Sequence, residues 1–502
     1  MLRWLRPARR PTFRPQRPSI SRPRLEGLED RCLLSGNVLQ TNLVSDLKGV
    51  AQVFDPNLVN PWGISESSGS PFWISDNNSG LSTLYNTQGA IQNLVVSIPT
   101  PGDPLGATGA PTGTVFNIDG GAAGGFKVSG VDAKGNPASA PAIFLFATED
   151  GTIVGWNPGV NPVGFDSTKA GTFGTLAVDN SGNNFTEPDP NLQTGAVYKG
   201  LAIATDAKGA TRLYAANFRA GTIDVFGPDF KPATNLVKDA FTDPKLPKGY
   251  APFNVQELGG KIYVTYALQN DTKHDDVEGK GHGFVDVFNE DGSPGLQDGT
   301  ERLISRGKLN SPWGLALAPK SFGKLAGDLL VGNFGDGTIH VYNPVSGSFL
   351  DTLKDPDGEP IQIDGLWALK VGNGGNGGDS QTVYFTAGLD HEMHGLFGSF
   401  TPVAPGTPEG TAEAQKVVAA VDVFQLDLGT LIKDISSGAS QDKINADLKT
   451  VNDDFKVLVK TESAFIRDTR DDSSHHGHGR GGDHHELDEL FAEFREILHY
   501  LV

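Results

Sequence analysis

The residues with chemistry to offer are carboxylates, amides and imidazoles, and most of them fall in short turns. Asn60, Asp76, Glu149, Asn217, Asn254, Asn333 and Asp364 occupy matching places in a repeated strand-and-turn pattern. If those turns converge, they gather carboxylate and amide oxygens, a donor set that suits a polar ligand or a hard cation such as Ca2+. Hairpin turns also favour Asn and Asp for reasons of their own, because these side chains hydrogen-bond the nearby backbone. A second group is Asp390, His391, Glu392 and His394 in the run Asp390-His-Glu-Met-His394. Its histidines stand three apart in an expected loop, so it is a set of metal-capable groups but not the helical His-Glu-x-x-His zinc motif. His475, His476, His478, His484 and His485 are interleaved with Gly and Asp. Such tracts bind Zn2+ or Ni2+ loosely, or serve only as soluble linkers. The polar run Lys273–His282 reads as a surface loop or a binding loop. There is no Gly-x-Ser-x-Gly elbow and no phosphate-cradling Gly-Lys-Ser loop, and Cys32 is the only cysteine.

The elements that would position these turns recur through residues 37–404. The clearest copy runs from Asn310-Ser-Pro-Trp-Gly through Asp328-Leu-Leu-Val-Gly-Asn-Phe-Gly-Asp-Gly-Thr-Ile-His-Val-Tyr-Asn343. Short runs of β-branched and aromatic residues separated by Gly/Asp turns make an antiparallel meander. Five more copies centre on residues 71–86, 142–157, 212–227, 261–289 and 382–400. Most are preceded by a further short strand, as in Asn60-Pro-Trp-Gly-Ile, Lys199-Gly-Leu-Ala-Ile and Ser311-Pro-Trp-Gly-Leu. Six four-strand meanders that cannot bury both faces alone predict an all-β, six-bladed β-propeller. Pro402 and Pro405 deny the sixth copy an outer strand, and Val38–Val44 is a spare strand that closes the ring. Residues 101–140 and 271–282 read as long loops. Trp62, Trp313 and Trp367, with Phe253, fall on the innermost strands, where they can wedge the blades or stack a sugar.

The flanks differ in character. Residues 1–36 form a basic, Pro-rich leader expected to be disordered. Residues 405–470 carry apolar residues at helical spacing and predict a helical hairpin; 471–485 are a His/Gly-rich linker, and 486–502 a C-terminal amphipathic helix. The net charge of −19 is uneven. Residues 1–36 hold nine arginines against Glu26, Glu29 and Asp30, about +6, which leaves about −25 for the rest. So acidic a body repels nucleic acid and anionic membrane and is compatible with cations, sugars or a basic polymer. No run of residues is long and apolar enough to be a transmembrane segment.

Leu28-Glu-Asp-Arg-Cys-Leu-Leu-Ser35 resembles the N-terminal Leu-Glu-x-Arg-x-Leu-Leu-Ser signature of exported planctomycete proteins. The resemblance implies an extracellular or cell-surface location. Gln40–Asp46, Asn60–Gly63, Phe146–Thr152, Asn217-Phe218, Gly335-Asp-Gly337 and Asp364–Trp367 together resemble a family of uncharacterised bacterial extracellular propellers without an assigned activity. A more distant likeness, in architecture alone, is to the lactonase and NHL-type six-bladed propellers.

These readings lead to an exported, non-enzymatic propeller that binds an extracellular small molecule, polysaccharide or protein at a polar channel mouth, with Ca2+ as its fitting structural cation. A metal-dependent hydrolase of the lactonase type using His391 or His394, and a surface-structural protein assembling through its helical tail, are the alternatives.

Overall fold

The computed structural model describes residues 37–120, 124–182, 194–403, single positions between 420 and 434, and 439–473. The expected leader, the His-rich cluster and the C-terminal amphipathic helix lie outside the described residues.

The repeat folds into six sheets arranged as a propeller, antiparallel except where Val53–Phe54 pairs in parallel with Val38–Ser45. Blade one is built from Pro61–Ser65, Phe72–Asp76, Leu81–Tyr85 and Val96–Ser97. Blade two uses Pro111–Phe116, Phe144–Thr148, Thr152–Trp156 and Thr175–Asp179. Blade three has three paired strands, Tyr198–Thr205, Thr211–Asn217 and Thr222–Phe226. Its outer edge is irregular chain, where Ala233 N donates to Val225 O at 2.7 Å. Blade four is Tyr250–Glu257, Ile262–Leu268, Phe284–Phe288 and Arg302–Ser305; blade five is Pro312–Leu317, Leu329–Asn333, Ile339–Tyr342 and Phe349–Thr352. Blade six is Leu366–Val371, Val383–Gly388 and His394–Pro402, completed by Val38–Ser45.

The closing strand pairs as the spare N-terminal segment predicts. Val38 faces Pro402 and Ser45 faces Leu396, antiparallel. The chain therefore starts and ends its ring in one sheet.

Residues 101–140 depart from the expected loop. They contain the inner strand of blade two and a separate hairpin, Lys127–Val131 with Pro137–Pro141. The inner strand was hidden because Pro111-Thr-Gly-Thr carries the composition of a turn.

Hairpin turns between the second and third strands sit at the end of each blade from which the inner strand starts. Gly80, Gly151, Gly221 and Gly337 take φ of 67°, 81°, 74° and 67° there, which explains the recurrent glycine. Blade six lacks it. Asp390, His391 and Glu392 adopt φ of 52°, 55° and 65° in succession.

All six inner strands share one irregularity. The ladder to the second strand slips one or two residues in from the start: between Pro61 and Ile64, Tyr198 and Leu201, Pro252 and Asn254, Pro312 and Gly314, and Leu366 and Leu369, and opposite Phe146–Thr148 in blade two. A bulge re-aims the side chains beside it. Here it aligns Trp62, Thr112, Lys199, Phe253, Trp313 and Trp367 at equivalent places. The next residues are Gly63, Gly113, Gly200, Asn254, Gly314 and Ala368. A Cβ on Gly63, Gly113, Gly200 or Gly314 would lie 2.6, 2.2, 2.2 or 2.5 Å from an atom of the next blade's inner strand.

The indoles fill the axis. Trp62 stacks on Trp367 at 3.5 Å and meets Trp313 edge-on at 6.2 Å, and Phe334 stacks on Trp367 at 4.0 Å. All four of Trp62, Trp313, Trp367 and Phe253 are buried and pack against one another.

In the C-terminal part, Gln441–Ser473 is an α-helix. Phe424 packs on Phe455 with ring centres 5.7 Å apart. No helix among the described residues is long and apolar enough to cross a membrane.

Gly314→Ala tests the axial packing. The added methyl meets the Trp367 carbonyl, and overpacking of this kind costs about 1–3 kcal/mol. The expected result is a lower denaturation midpoint with unchanged far-UV circular dichroism. Ala at Gly327, where nothing lies within 4 Å of a Cβ but φ is 83°, separates this clash from backbone strain.

Candidate functional site

Lys199 holds the place on the blade-three inner strand that tryptophan holds on blades one, five and six. Its ammonium lies 5.2 Å from the centre of the Trp62 ring and 5.9 Å from that of Phe218, a cation resting on an aromatic floor. A side chain only 3% exposed needs opposite charge close by. Glu149, from the blade-two hairpin turn, pairs with it directly. Asp275 Oδ1, from the blade-four insertion, lies 3.4 Å away.

The network extends in both directions. Asn77 Nδ2 donates to Glu149 Oε2 at 2.9 Å. Asn60 Nδ2 donates to Glu392 Oε2 at 2.7 Å, and Asn60 Oδ1 accepts from Trp367 Nε1 at 3.0 Å. Asn78 Nδ2 donates to the Glu392 carbonyl at 2.7 Å. On the other side, His274 Nδ1 lies 2.7 Å from Asp275 Oδ1. One polar arc thus joins blades six, one, two, three and four. The insertion is tied to blade five by Gly279 N, which donates to Asn310 Oδ1 at 2.6 Å.

Protonation follows from burial and partners. Burial works against the Glu149 charge, but Lys199 and His274 overcome it and hold this carboxyl below its ordinary value. Burial likewise opposes the Lys199 charge, and Glu149 and Asp275 more than restore it, so the ammonium is stabilised. Glu392 is pushed up to about 7, chiefly by burial and then by the Glu149 charge. Burial also raises Asp276 and Glu278. The mouth is acidic overall, with Glu149, Asp275, Asp276, Glu278 and Glu392 around one buried ammonium.

The residues expected at the mouth divide into two sets. Asn60, Glu149 and Glu392 meet in the arc. The others lie outside it, and all but Asn254 serve their own blades. Asp76 is buried in blade one and accepts from Thr83 N at 3.0 Å. Asn217 donates to Asp224 Oδ2 at 3.0 Å. Asn254 donates to the Trp313 carbonyl at 2.8 Å, linking two inner strands. Asn333 donates to the Lys308 carbonyl at 2.9 Å and to Asp336 Oδ1 at 3.1 Å. Asp364 accepts from Asp390 N at 2.7 Å and so holds the blade-six turn.

Asp390, His391, Glu392 and His394 take separate directions. Glu392 reaches Asn60, His394 Nδ1 lies 2.8 Å from Asp46 Oδ2, and Asp390 and His391 are exposed. Among the described residues, the trio whose ligand atoms lie within 4.8 Å of one another is Glu149, His274 and Asp275. Lys199 already contacts two of its three members, so a metal ion there would have to share the space with an ammonium and bear its repulsion.

Sequence reasoning passed over Lys199 as a site residue, and reached His274 and Asp275 only within the run Lys273–His282, read as a surface loop or a binding loop. The signal for Lys199 was its alignment: Tyr198-Lys-Gly200 matches Pro61-Trp-Gly63 and Pro312-Trp-Gly314.

Comparison with known proteins adds the following. No protein-family model matches the chain. It is 30% identical to the uncharacterized protein R648 of Acanthamoeba polyphaga mimivirus over 360 residues, 71% of this chain and 78% of the viral protein. It is 31% identical to the uncharacterized protein L690 of the same virus over 361 residues, 71% of this chain and 84% of that protein. These viral relatives overturn the expectation of a bacterial, planctomycete-type family. Among solved structures, the chain is similar to a streptogramin B lyase, with 12% identity, 73% of this chain and 97% of that chain covered, and a TM-score of 0.36. It is also similar to the PQQ-bound aldose sugar dehydrogenase of Streptomyces coelicolor, with 12% identity, 73% and 98% coverage, and a TM-score of 0.38. No chemistry passes from either to this chain.

Glu392 supplies a pH test. Its ordinary value of 4.5 is raised to about 7 in the fold, so ionisation costs stability. The cost begins as pH rises past 4.5 and is complete above 7. Glu392→Gln keeps an oxygen for Asn60 but cannot ionise. The variant should be more stable than the parent by roughly 1–2 kcal/mol at pH 8, after allowance for solvent screening, and should gain nothing at pH 4. Urea unfolding at the two pH values measures this, and an equal gain at both would exclude the assignment.

Proposed function

Because the chain belongs to the family of the mimivirus proteins R648 and L690, whose names state no activity, we propose its function from its own mouth: a binding propeller for a hydroxyl-rich or amine-bearing small ligand. The observation that carries this reading is Lys199, buried on the Trp62 ring and held between Glu149 and Asp275. A charge fixed from several sides does not reorganise when a ligand arrives, and preorganisation of this kind favours binding. The surrounding carboxylates and amides accept and donate hydrogen bonds in a small space, which suits the alternating hydroxyls of a saccharide. Their excess negative charge repels anions and favours an amino group.

Support for binding rather than turnover comes from pairing. The strongest candidate nucleophile, the Lys199 amine, is kept protonated by its carboxylate partners and has no free electron pair to offer. The metal-dependent alternative would need a cation among Glu149, His274 and Asp275, where the ammonium stands.

Calorimetric titration of the full chain with neutral and amino monosaccharides and their short oligomers tests the proposal. One saturable site per chain is expected, with amino sugars preferred. Asp275→Asn, at a residue 60% exposed and so tolerant of change, should weaken that binding about tenfold. Lys199→Met should abolish it. Failure of every sugar to bind, binding indifferent to both variants, or conversion of the bound sugar to product would overturn the reading.

A further inference from the structure

The axis has a second opening. Beyond the indole stack, on the face away from the polar mouth, the six inner strands surround a cavity of about 460 Å³. Its size falls in the range of ligand pockets, about 300–1,000 Å³. Ile64, Leu201, Ile203, Val255 and Leu369 supply apolar walls. Small residues are common in its lining, among them Gly113, Ala202, Ala316 and Ala368. Elsewhere the axis is filled by stacked aromatic rings, so this is a space that the chain's own side chains leave open.

The polar groups that line it are mostly satisfied. The hydroxyls of Ser65 and Thr114 lie 3.0 Å apart and share a hydrogen bond, and Gln256 Nε2 donates to the Leu315 carbonyl at 2.8 Å. The pair Glu66–Lys370 is the exception. Lys370 Nζ lies 3.3 Å from Glu66 Oε1, its side chain is 35% exposed, and an ammonium has three protons to donate. Glu66 is 7% exposed, and its Oε2 has no hydrogen-bond partner. Burial pushes this carboxyl up to about 7 despite the lysine. The pair therefore has unused capacity both to donate and to accept.

A hydroxyl group matches such a pair, because it donates and accepts at one atom and adds no net charge. A carboxylate would face Glu66, and an ammonium would face Lys370. We propose that this lower cavity is a second binding site, taking a compact aliphatic alcohol with its hydroxyl at the Glu66–Lys370 pair and its hydrocarbon against Ile64, Leu201, Ile203, Val255 and Leu369. The site is independent of the saccharide mouth, from which the Trp62–Trp367 stack separates it.

The test uses the full chain with 1-octanol, octanoate and octylammonium as probes. Trp313 lines the cavity, so its fluorescence reports occupancy alongside calorimetry. One saturable octanol site per chain is expected, with octanoate and octylammonium each at least tenfold weaker. Lys370→Met, at a half-exposed position, should weaken octanol about tenfold, and Leu317→Trp should fill the opening and remove binding. Absence of saturable octanol binding, preference for either charged probe, or binding unchanged in Lys370→Met would overturn the proposal, whether or not the tryptophan variant folds.

Discussion

The molecule depends on how closely six backbones can approach one axis. At the inner-strand bulges the neighbouring chains come so near that four blades can place only hydrogen at the contact, at Gly63, Gly113, Gly200 and Gly314. Hydrogen bonds between blades follow from the same proximity. Thr112 Oγ1 donates to the Tyr198 carbonyl at 2.8 Å, Trp313 Nε1 to the Lys199 carbonyl at 3.0 Å, and Asn254 Nδ2 to the Trp313 carbonyl at 2.8 Å. Buried carbonyls beside a bulge lose their ladder partners, and these side chains replace them. The residue before each close contact is then directed at the axis, and what it carries decides what the axis is. Tryptophan on three blades makes a plug, and lysine on one makes a charged site on that plug.

From that single exception the polar mouth grows. A buried ammonium cannot stand alone, and the carboxylates that compensate it come from different blades and from a loop 76 residues away in sequence. The insertion at 271–282 is thereby part of the mouth rather than a decoration of blade four. Opposite charge within the arc also explains why its acids diverge: Glu149, beside Lys199, stays ionised, whereas Glu392, further along and without a cation of its own, holds a proton near neutrality. Two carboxyls in one small site are set to different tasks by their distance from one lysine.

Much of the architecture was legible in sequence because strands and hairpins announce themselves locally. Alternating β-branched and aromatic residues, and glycine at the left-handed turn positions 80, 151, 221 and 337, are properties of a few neighbouring residues. The closing strand was legible too, by elimination, since Pro402 and Pro405 left blade six one strand short. What escaped was set by distant parts of the chain. Pro111–Phe116 reads as a turn, and it is a strand only because the axis requires Gly113 against Leu201. Blade three's missing fourth strand has no local signature. At the mouth, Asn and Asp were ambiguous, and the ambiguity was real: Asn217 and Asn333 brace their own turns, while Asn60 spans two blades. Asp390 to His394 looked like one cluster because the residues are adjacent. Three consecutive left-handed residues splay their side chains apart.

The ring closure has a mechanical side. Val38 and Pro402 are partners at one end of the closing ladder, and the chain enters and leaves the propeller there. Tension applied between residues 37 and 403 would therefore load a single cross-strand pair at a time, peeling the ladder open from Val38 toward Ser45. Strands pulled from opposite ends share the load across every hydrogen bond; strands pulled from the same end do not. The propeller is held shut by a zipper whose slider sits at its own attachment point.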